Sequence, residues 1–345
     1  MPKIEKRVLE WIDAKKEWFF VTAVTVAALL LRFPLRNILP GGMAGKAAAM
    51  LCDFLLALSA AAVVYLFEED AVWKKRKSVL CYAAVLFSLH VAFASAIWGY
   101  GYSLQALFLI WSVAALLSGH SMPALGIYGV AVGLDPTALI MLPFLLYIYL
   151  VKKNFPILHF GLGVIPTAVM RLADAYTGGK LLGWYRHAAG AAETLYTETA
   201  SFWAFLDGST EKYREYAAAA VVIAVLVLAG LGLWLGKKQQ HTRELFFTAF
   251  LFSAVTAFFW PGAAAGRAYV PEILSIVSAV FFPATFPLAV LFNMISIVLS
   301  AAALYGPDWL PLGIQGLSLA ELAVLVLYVA FYARYPAGNY SKRNK

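Results

Sequence analysis

The chain has 345 residues, of which 62% are hydrophobic and only 13% charged, with a mean hydropathy of +0.77. Soluble domains carry about 25% charged residues, so this composition excludes a soluble enzyme and describes an all-α polytopic membrane protein with no separate soluble domain. The formal charge of +8 matters less than its placement, because cytoplasmic loops collect Lys and Arg, and no nucleic-acid partner is expected.

Residues 1–17 place Ile4, Val8, Trp11 and Ile12 at helical spacing among Lys3, Lys6 and Arg7. The pattern predicts an amphipathic helix on the cytoplasmic surface that feeds the first span. No small-residue cleavage site follows, so it does not read as a cleaved signal peptide.

An N-terminal transmembrane module is expected over residues 18–171. Its first span runs from Phe19 to Leu35, carrying Arg32 near the outer end with Arg36 just beyond, and a short turn over Asn37 to Gly45 leads into a second span, Lys46 to Leu66, that holds Asp53. The loop Lys74-Lys75-Arg76-Lys77 marks the cytoplasmic side. A third span over Ser78 to Ile97 and a fourth over Leu104 to Leu117 meet at Trp98-Gly99-Tyr100-Gly101-Tyr102-Ser103. A fifth and sixth, Met122 to Leu134 and Thr137 to Val151, meet at Asp135-Pro136. The seventh, Ile157 to Met170, ends outside at Arg171 and Asp174.

Residues 172–216 form the one long interspan segment and mix Trp184, Tyr185, Tyr196, Phe202 and Trp203 with Arg186, His187, Glu193 and Glu198. They are expected to form helices at the outer interface. The C-terminal module, 217–335, supplies spans at Ala217 to Leu235, Leu245 to Trp260, Tyr269 to Phe282, Phe286 to Tyr305 and Leu317 to Tyr332, before a cytoplasmic tail over 336–345. About twelve transmembrane helices result, in a multi-pass protein of the cell membrane with both termini cytoplasmic. This arrangement puts 18 of the 27 basic residues inside and leaves nine outside or in helices beside eleven acids, as the inside-positive bias requires. Cys52 and Cys81 fall within apolar helices and read as small buried hydrophobes.

Several local motifs carry a resemblance. Lys46 precedes Asp53 by seven residues at the start of an early span. Ala94-Ser95-Ala96-Ile97-Trp98-Gly99-Tyr100-Gly101-Tyr102-Ser103 stands before an apolar helix. Asp135-Pro136-Thr137-Ala138 precedes Leu142-Pro143-Phe144, and Ala264-Ala265-Gly266-Arg267-Ala268-Tyr269 precedes Glu272 and Leu274-Ser275-Ile276. This layout resembles the bacterial membrane proteins related to the GPI mannosyltransferases, in the GT-C glycosyltransferase superfamily. The group has Gln and Asp where Tyr100 and Tyr102 stand, Lys and Gln at Asp135 and Thr137, and His-Glu at Ala265-Gly266. Its members generally carry an acid in a large first outer loop, whereas Asn37 to Gly45 is short and has none.

The resemblance implies handling of a sugar linked to polyprenyl phosphate at the outer face. Such transfer needs a carboxylate to take the acceptor's proton, and cations or a divalent metal at the departing phosphate. Candidate bases are Glu272, Asp135 and Asp174, with Asp53 less suited to the role. Lys46, Arg171, Arg186 and Arg267 are the candidate phosphate partners, and Trp98, Tyr100 and Tyr102 can stack on a sugar. Structural duties compete with each role: an ion pair to another helix for Asp53, a helix cap for Asp135, interfacial snorkelling for Arg267, an interhelical hydrogen bond for His90 and an aromatic belt for the rings. No Asp-x-Asp pair, Cys/His cluster, phosphate loop or nucleophilic Ser motif occurs; no metal is required by the sequence, and no protein partner is named by it. Beside the transferase stand a catalytically silent relative that binds the lipid or stabilises a partner, and a transporter, for which internal repeats are lacking.

Overall fold

The computed structural model describes residues 3–39, 42–153, 155–179, 200–206, 210–238, 240–262, 266–306 and 312–334, and no strand occurs among them. The helices are α1 (Lys3–Leu35), α2 (Met43–Phe67), α3 (Ala71–Leu86), α4 (Leu89–Phe93), α5 (Tyr102–Leu117), α6 (Ser121–Leu134), α7 (Leu142–Lys152), α8 (His159–Tyr176), α9 (Thr210–Gly236), α10 (Thr242–Phe259), α11 (Gly266–Phe281), α12 (Phe286–Tyr305) and α13 (Gly313–Arg334). A π turn, Ala94–Trp98, continues α4, and 3₁₀ turns occur at Pro136–Met141, Phe202–Phe205 and Pro283–Thr285. Six helices are long and apolar enough to cross a membrane, or seven when α3 and the α4–π segment count as one bent span. The protein is a multi-pass helical membrane protein.

Helix α10 is the axis of the bundle, with 89% of its residues buried. Six phenylalanines make it apolar all round, and such a helix is stable only when other helices surround it. Its rings pack on α13 through Phe250 and Tyr328 (centroids 4.5 Å apart), on α7 through Phe252 and Tyr147 (5.1 Å), and on α2 through Phe246 and Phe67 (5.1 Å). In lipid, close packing replaces the hydrophobic effect as the cohesive term between helices. The α6–α8 contact illustrates this: a Cβ on Gly129 would lie 2.0 Å from the Gly163 carbonyl oxygen, so only glycine permits the approach. The Thr167 hydroxyl donates to the Gly129 carbonyl across the same seam (2.8 Å).

Three element boundaries differ from the sequence expectation. Residues 3–35 form one unbroken helix, so the amphipathic segment and first span are continuous. The third span is broken: α3 stops at Leu86, and α4 restarts after Ser88 at an angle of 48°. Helix α8 runs on to Tyr176, which puts Arg171 and Asp174 within its last turns instead of beyond it. Of the expected outer segment, residues 180–199 and 207–209 lie outside the described residues.

Side-chain contacts define two ends. At the lysine-rich end the buried Glu68 carboxylate accepts from Lys77 (2.5 Å) and Arg243 (3.0 Å), and Arg243 also reaches Glu69 (2.6 Å). Asp70 caps α3 by accepting from the Val72 and Trp73 amides, while His241 and Glu244 form a capping box at the start of α10. Gln240 ties this end together, accepting from the Tyr147 hydroxyl and donating to Thr248 and Tyr332. Burial pulls the Lys238 ammonium below the usual lysine range, and the Glu244 carboxylate works against that.

Candidate functional site

A chain of buried polar groups crosses the apolar bundle. Arg32 and Asp53 are both fully buried and pair through Nε and Oδ2 at 3.1 Å. The Arg32 Nη1 donates to the Ala28 carbonyl (3.3 Å) and to the Leu86 carbonyl (3.0 Å). The latter belongs to the last turn of α3, where a helix end leaves carbonyls without amide partners, so the break after Leu86 is stabilised by the arginine it faces. Asp53 further accepts from Ser95 at Oδ2 (2.5 Å) and from Ser103 at Oδ1. The π turn carries Ser95, and the first turn of α5 carries Ser103. A buried charge is tolerable when its partner and its remaining hydrogen bonds are all supplied, and the protein supplies them to this carboxylate.

The Ser103 hydroxyl also meets the Tyr269 hydroxyl at 2.5 Å, which extends the network to α11. One turn further along α11, Glu272 is fully buried and its Oε2 is hydrogen-bonded to His90 Nδ1. The His90 ring stands edge-on to Tyr269, with centroids 5.7 Å apart. The other carboxylate oxygen, Glu272 Oε1, has no hydrogen-bond partner among the described residues.

Above this chain lies a rim of aromatic and cationic residues. Trp98 and Tyr100 are half-buried and stacked, 5.9 Å apart and 15° from parallel. Tyr100 leads to Tyr102 (5.2 Å), and Tyr102 to Tyr269 (5.8 Å). Gly99 makes the tip possible: its φ of +73° is left-handed, a conformation open to glycine, and a Cβ there would press to 3.3 Å from the Lys46 side chain. Gly266 is packed so tightly on Tyr102 that a Cβ would meet the ring at 2.6 Å, which fixes Arg267 next to the same tip.

Lys46 and Arg267 at this rim each serve a helix end. Lys46 Nζ donates to the Arg36 and Leu39 carbonyls just beyond α1, each at 2.7 Å. Arg267 Nη1 donates to the Pro261 carbonyl (3.1 Å) and the Trp260 carbonyl (3.5 Å) just beyond α10. Positive charge at a helix C-terminus is favourable because it faces the negative end of the dipole.

The tip at Asp135 reaches the tip at Trp98 through Gln105, whose amide donates to the Asp135 carbonyl (2.9 Å) and accepts from Thr137 (3.1 Å). Asp135 is buried, and its Oδ1 caps the 3₁₀ turn by accepting from the Thr137 amide (2.7 Å). The tips at Trp98 and Asp135 and the turn at Arg267 thus share one end of the bundle, opposite the lysine-rich loops. Arg171 lies against the last turn of α6, next to the Asp135 tip, donating to the Val132 carbonyl (3.5 Å), and Asp174 is buried one turn later in α8. Arg186 is outside the described residues. Lys46 and Asp53, aligned on α2, face different partners and do not pair with each other.

No three His, Cys, Asp or Glu side chains converge at metal-binding range among the described residues. Both Asp53 oxygens already accept hydrogen bonds. Arg32, His90, Ser95, Ser103 and Tyr269 are the members of this network that the sequence did not single out as site residues. Arg32 could have been found as a charge within an apolar span, and the two serines lie in the same stretch as Trp98. A scan against protein-family models, a search of curated proteins and a search of solved structures each return no match.

Proposed function

We propose that the chain is a GT-C-like glycosyltransferase homologue that handles a polyprenyl-phosphate-linked sugar at the outer face, with mannosyl transfer as its implied chemistry. On this reading α3 and α4 form one crossing, the Pro136–Met141 turn and α7 form another, and the helices cross twelve times with both termini cytoplasmic. The single observation carrying the proposal is the stacked Trp98–Tyr100 pair on a tip whose Gly99 packs on Lys46 and whose Tyr102 packs on Gly266, next to Arg267. A flat aromatic platform beside two cations suits a sugar joined to a phosphate. Helices α5 and α6 have 16 and 14 residues, fewer than the roughly 20 of an ordinary crossing. On this reading the irregular tips at their ends complete each crossing, and such backbone must line a protein cavity.

In the transferase reading Glu272 is the base, and its free Oε1 is the oxygen that would accept the acceptor's proton. Full burial of that carboxylate and its bond to His90 favour a second reading, a non-catalytic relative that keeps the lipid site. The test is sugar transfer by the purified protein from polyprenyl-phosphate mannose, run beside lipid binding, with Glu272→Gln and Arg267→Ala as controls. Transfer that Glu272→Gln abolishes supports the enzyme. Lipid binding without transfer supports the silent relative, and absence of both removes the proposal.

A further inference from the structure

Residues 200–206, at the end of the interspan segment, are irregular backbone that reaches the interior of the bundle. Ser201 is extended, a 3₁₀ turn follows over Phe202–Phe205, and Ala200, Ser201, Trp203 and Ala204 are all buried. Irregular backbone is buried only where its polar groups find fixed partners. The Ser201 amide donates to the Ser318 hydroxyl of α13 (3.1 Å), and the Phe202 ring stacks on Phe259 of α10, with centroids 5.3 Å apart and planes 28° from parallel. The Trp203 indole Nε1 donates to the Phe259 carbonyl at 2.7 Å.

Phe259 is the last residue of α10, where helix carbonyls have no amide partner of their own. Side chains take three successive carbonyls at this end: Trp203 holds that of Phe259, and Arg267 holds those of Trp260 and Pro261. The three are mechanically linked. The Phe259 carbonyl and the Trp260 amide belong to one planar peptide unit, and that amide is bonded back to the Thr256 carbonyl (2.9 Å). With both edges of the plane held, and with φ of Pro261 locked by its ring, few dihedrals remain to redirect the two carbonyls that Arg267 grips.

With Arg267 as the phosphate partner, the reading on which this rests, we propose that Trp203 is a positioning residue. By fixing the Phe259 carbonyl it aims the Trp260 and Pro261 carbonyls at Arg267, and so holds the guanidinium at the rim where the lipid phosphate is met. Residues 200–206 then act as a strap that couples the interspan segment to the rim. Trp203 works through the arginine and not on the lipid, so its effect is confined to the phosphate and does not extend to the polyprenyl tail.

Equilibrium binding of polyprenyl phosphate and of polyprenol to the full chain in lipid nanodiscs tests it. Trp203→Phe removes the indole N–H and keeps a ring; it should lower the preference for the phosphate form by about three- to tenfold, the worth of one hydrogen bond, with polyprenol affinity unchanged. In an Arg267→Ala background Trp203→Phe should lower the preference no further, which a merely structural role for the indole does not predict. Ser318→Ala loosens the strap from α13 but leaves the Phe259 bond in place, so it should keep the preference. Should Trp203→Phe fail to fold, benzothienylalanine in place of Trp203 deletes the same N–H from a ring of equal size and should give the same loss. Equal weakening toward both lipids, a preference untouched by loss of the N–H, a further loss in the Arg267→Ala background or a loss as large in Ser318→Ala would overturn the positioning role and leave the phosphate reading standing. A wild-type chain with no preference, or one whose preference survives Arg267→Ala, removes the reading and the positioning role together.

Discussion

At the lysine-rich end, Glu68 gathers Lys77 and Arg243, so charge is answered by opposite charge. At the opposite end, Lys46 and Arg267 donate instead to the neutral carbonyls that follow α1 and α10. The first arrangement answers its charge locally and ties the end of α2 to α3 and α10. The second fixes the cations in place without neutralising them through those bonds, because a carbonyl oriented by a helix terminus carries only a fraction of a charge. Lysine has three donors, so the two carbonyl contacts of Lys46 leave a direction in which a phosphate can be met. What separates Lys46 from the structural cluster at Glu68 is therefore the kind of acceptor it faces.

The largest effect expected lies between the two ends. Asp53→Ala strands Arg32 in the bundle and should destabilise the detergent-solubilised protein by about 3 to 5 kcal/mol in unfolding measurements, whereas Arg32→Met with Asp53→Leu should recover most of that loss. A cost for Asp53→Ala under about 1 kcal/mol would place the pair in the class of solvated bridges. Glu68→Ala should cost less, about 2 to 3 kcal/mol, since Lys77 and Arg243 keep some access to solvent. It should leave binding of polyprenyl phosphate unchanged, and weakened lipid affinity would break the contrast between the ends.

Arg267→Ala should do the reverse, weakening polyprenyl-phosphate binding by about 1.5 to 3 kcal/mol in equilibrium titrations while costing about 1 kcal/mol or less of stability. Lipid binding unaffected by this change would dismiss the phosphate role. The smallest effect is assigned to the platform: Trp98→Ala should weaken binding of the sugar-bearing lipid by about 1 kcal/mol and spare the sugar-free lipid. Equal losses for both lipids would mean the ring packs on the chain and not on the sugar.

The sequence made the helical class legible because every apolar run is bounded by turns or charge, and the Lys74–Lys77 and Lys237–Lys238 clusters mark one face. It also made the Asp135 cap legible, since Asp before Pro is a local signal. The bend after Leu86 was hidden: α3 and α4 are apolar on both sides of it, and its stabilising partner, Arg32, lies 54 residues away from the Leu86 carbonyl. Pairings such as His90 with Glu272, separated by 182 residues, leave no periodic trace. Each polar residue in an apolar run announces that it needs a partner, yet only packing chooses which one. The same limit applied to Lys46 and Asp53, whose shared helix face suggested a common role that their neighbours divide.

The claim that the rim of Trp98, Lys46 and Arg267 receives an anionic lipid head is tested most directly by comparing polyprenyl phosphate with the matching polyprenol for binding to the full chain in nanodiscs. A charged, hydrogen-bonded phosphate predicts binding tighter by about ten- to a hundredfold for the phosphate form, with most of that preference lost in Arg267→Ala. Equal affinity for the two lipids, or a preference that Arg267→Ala leaves intact, would contradict the account.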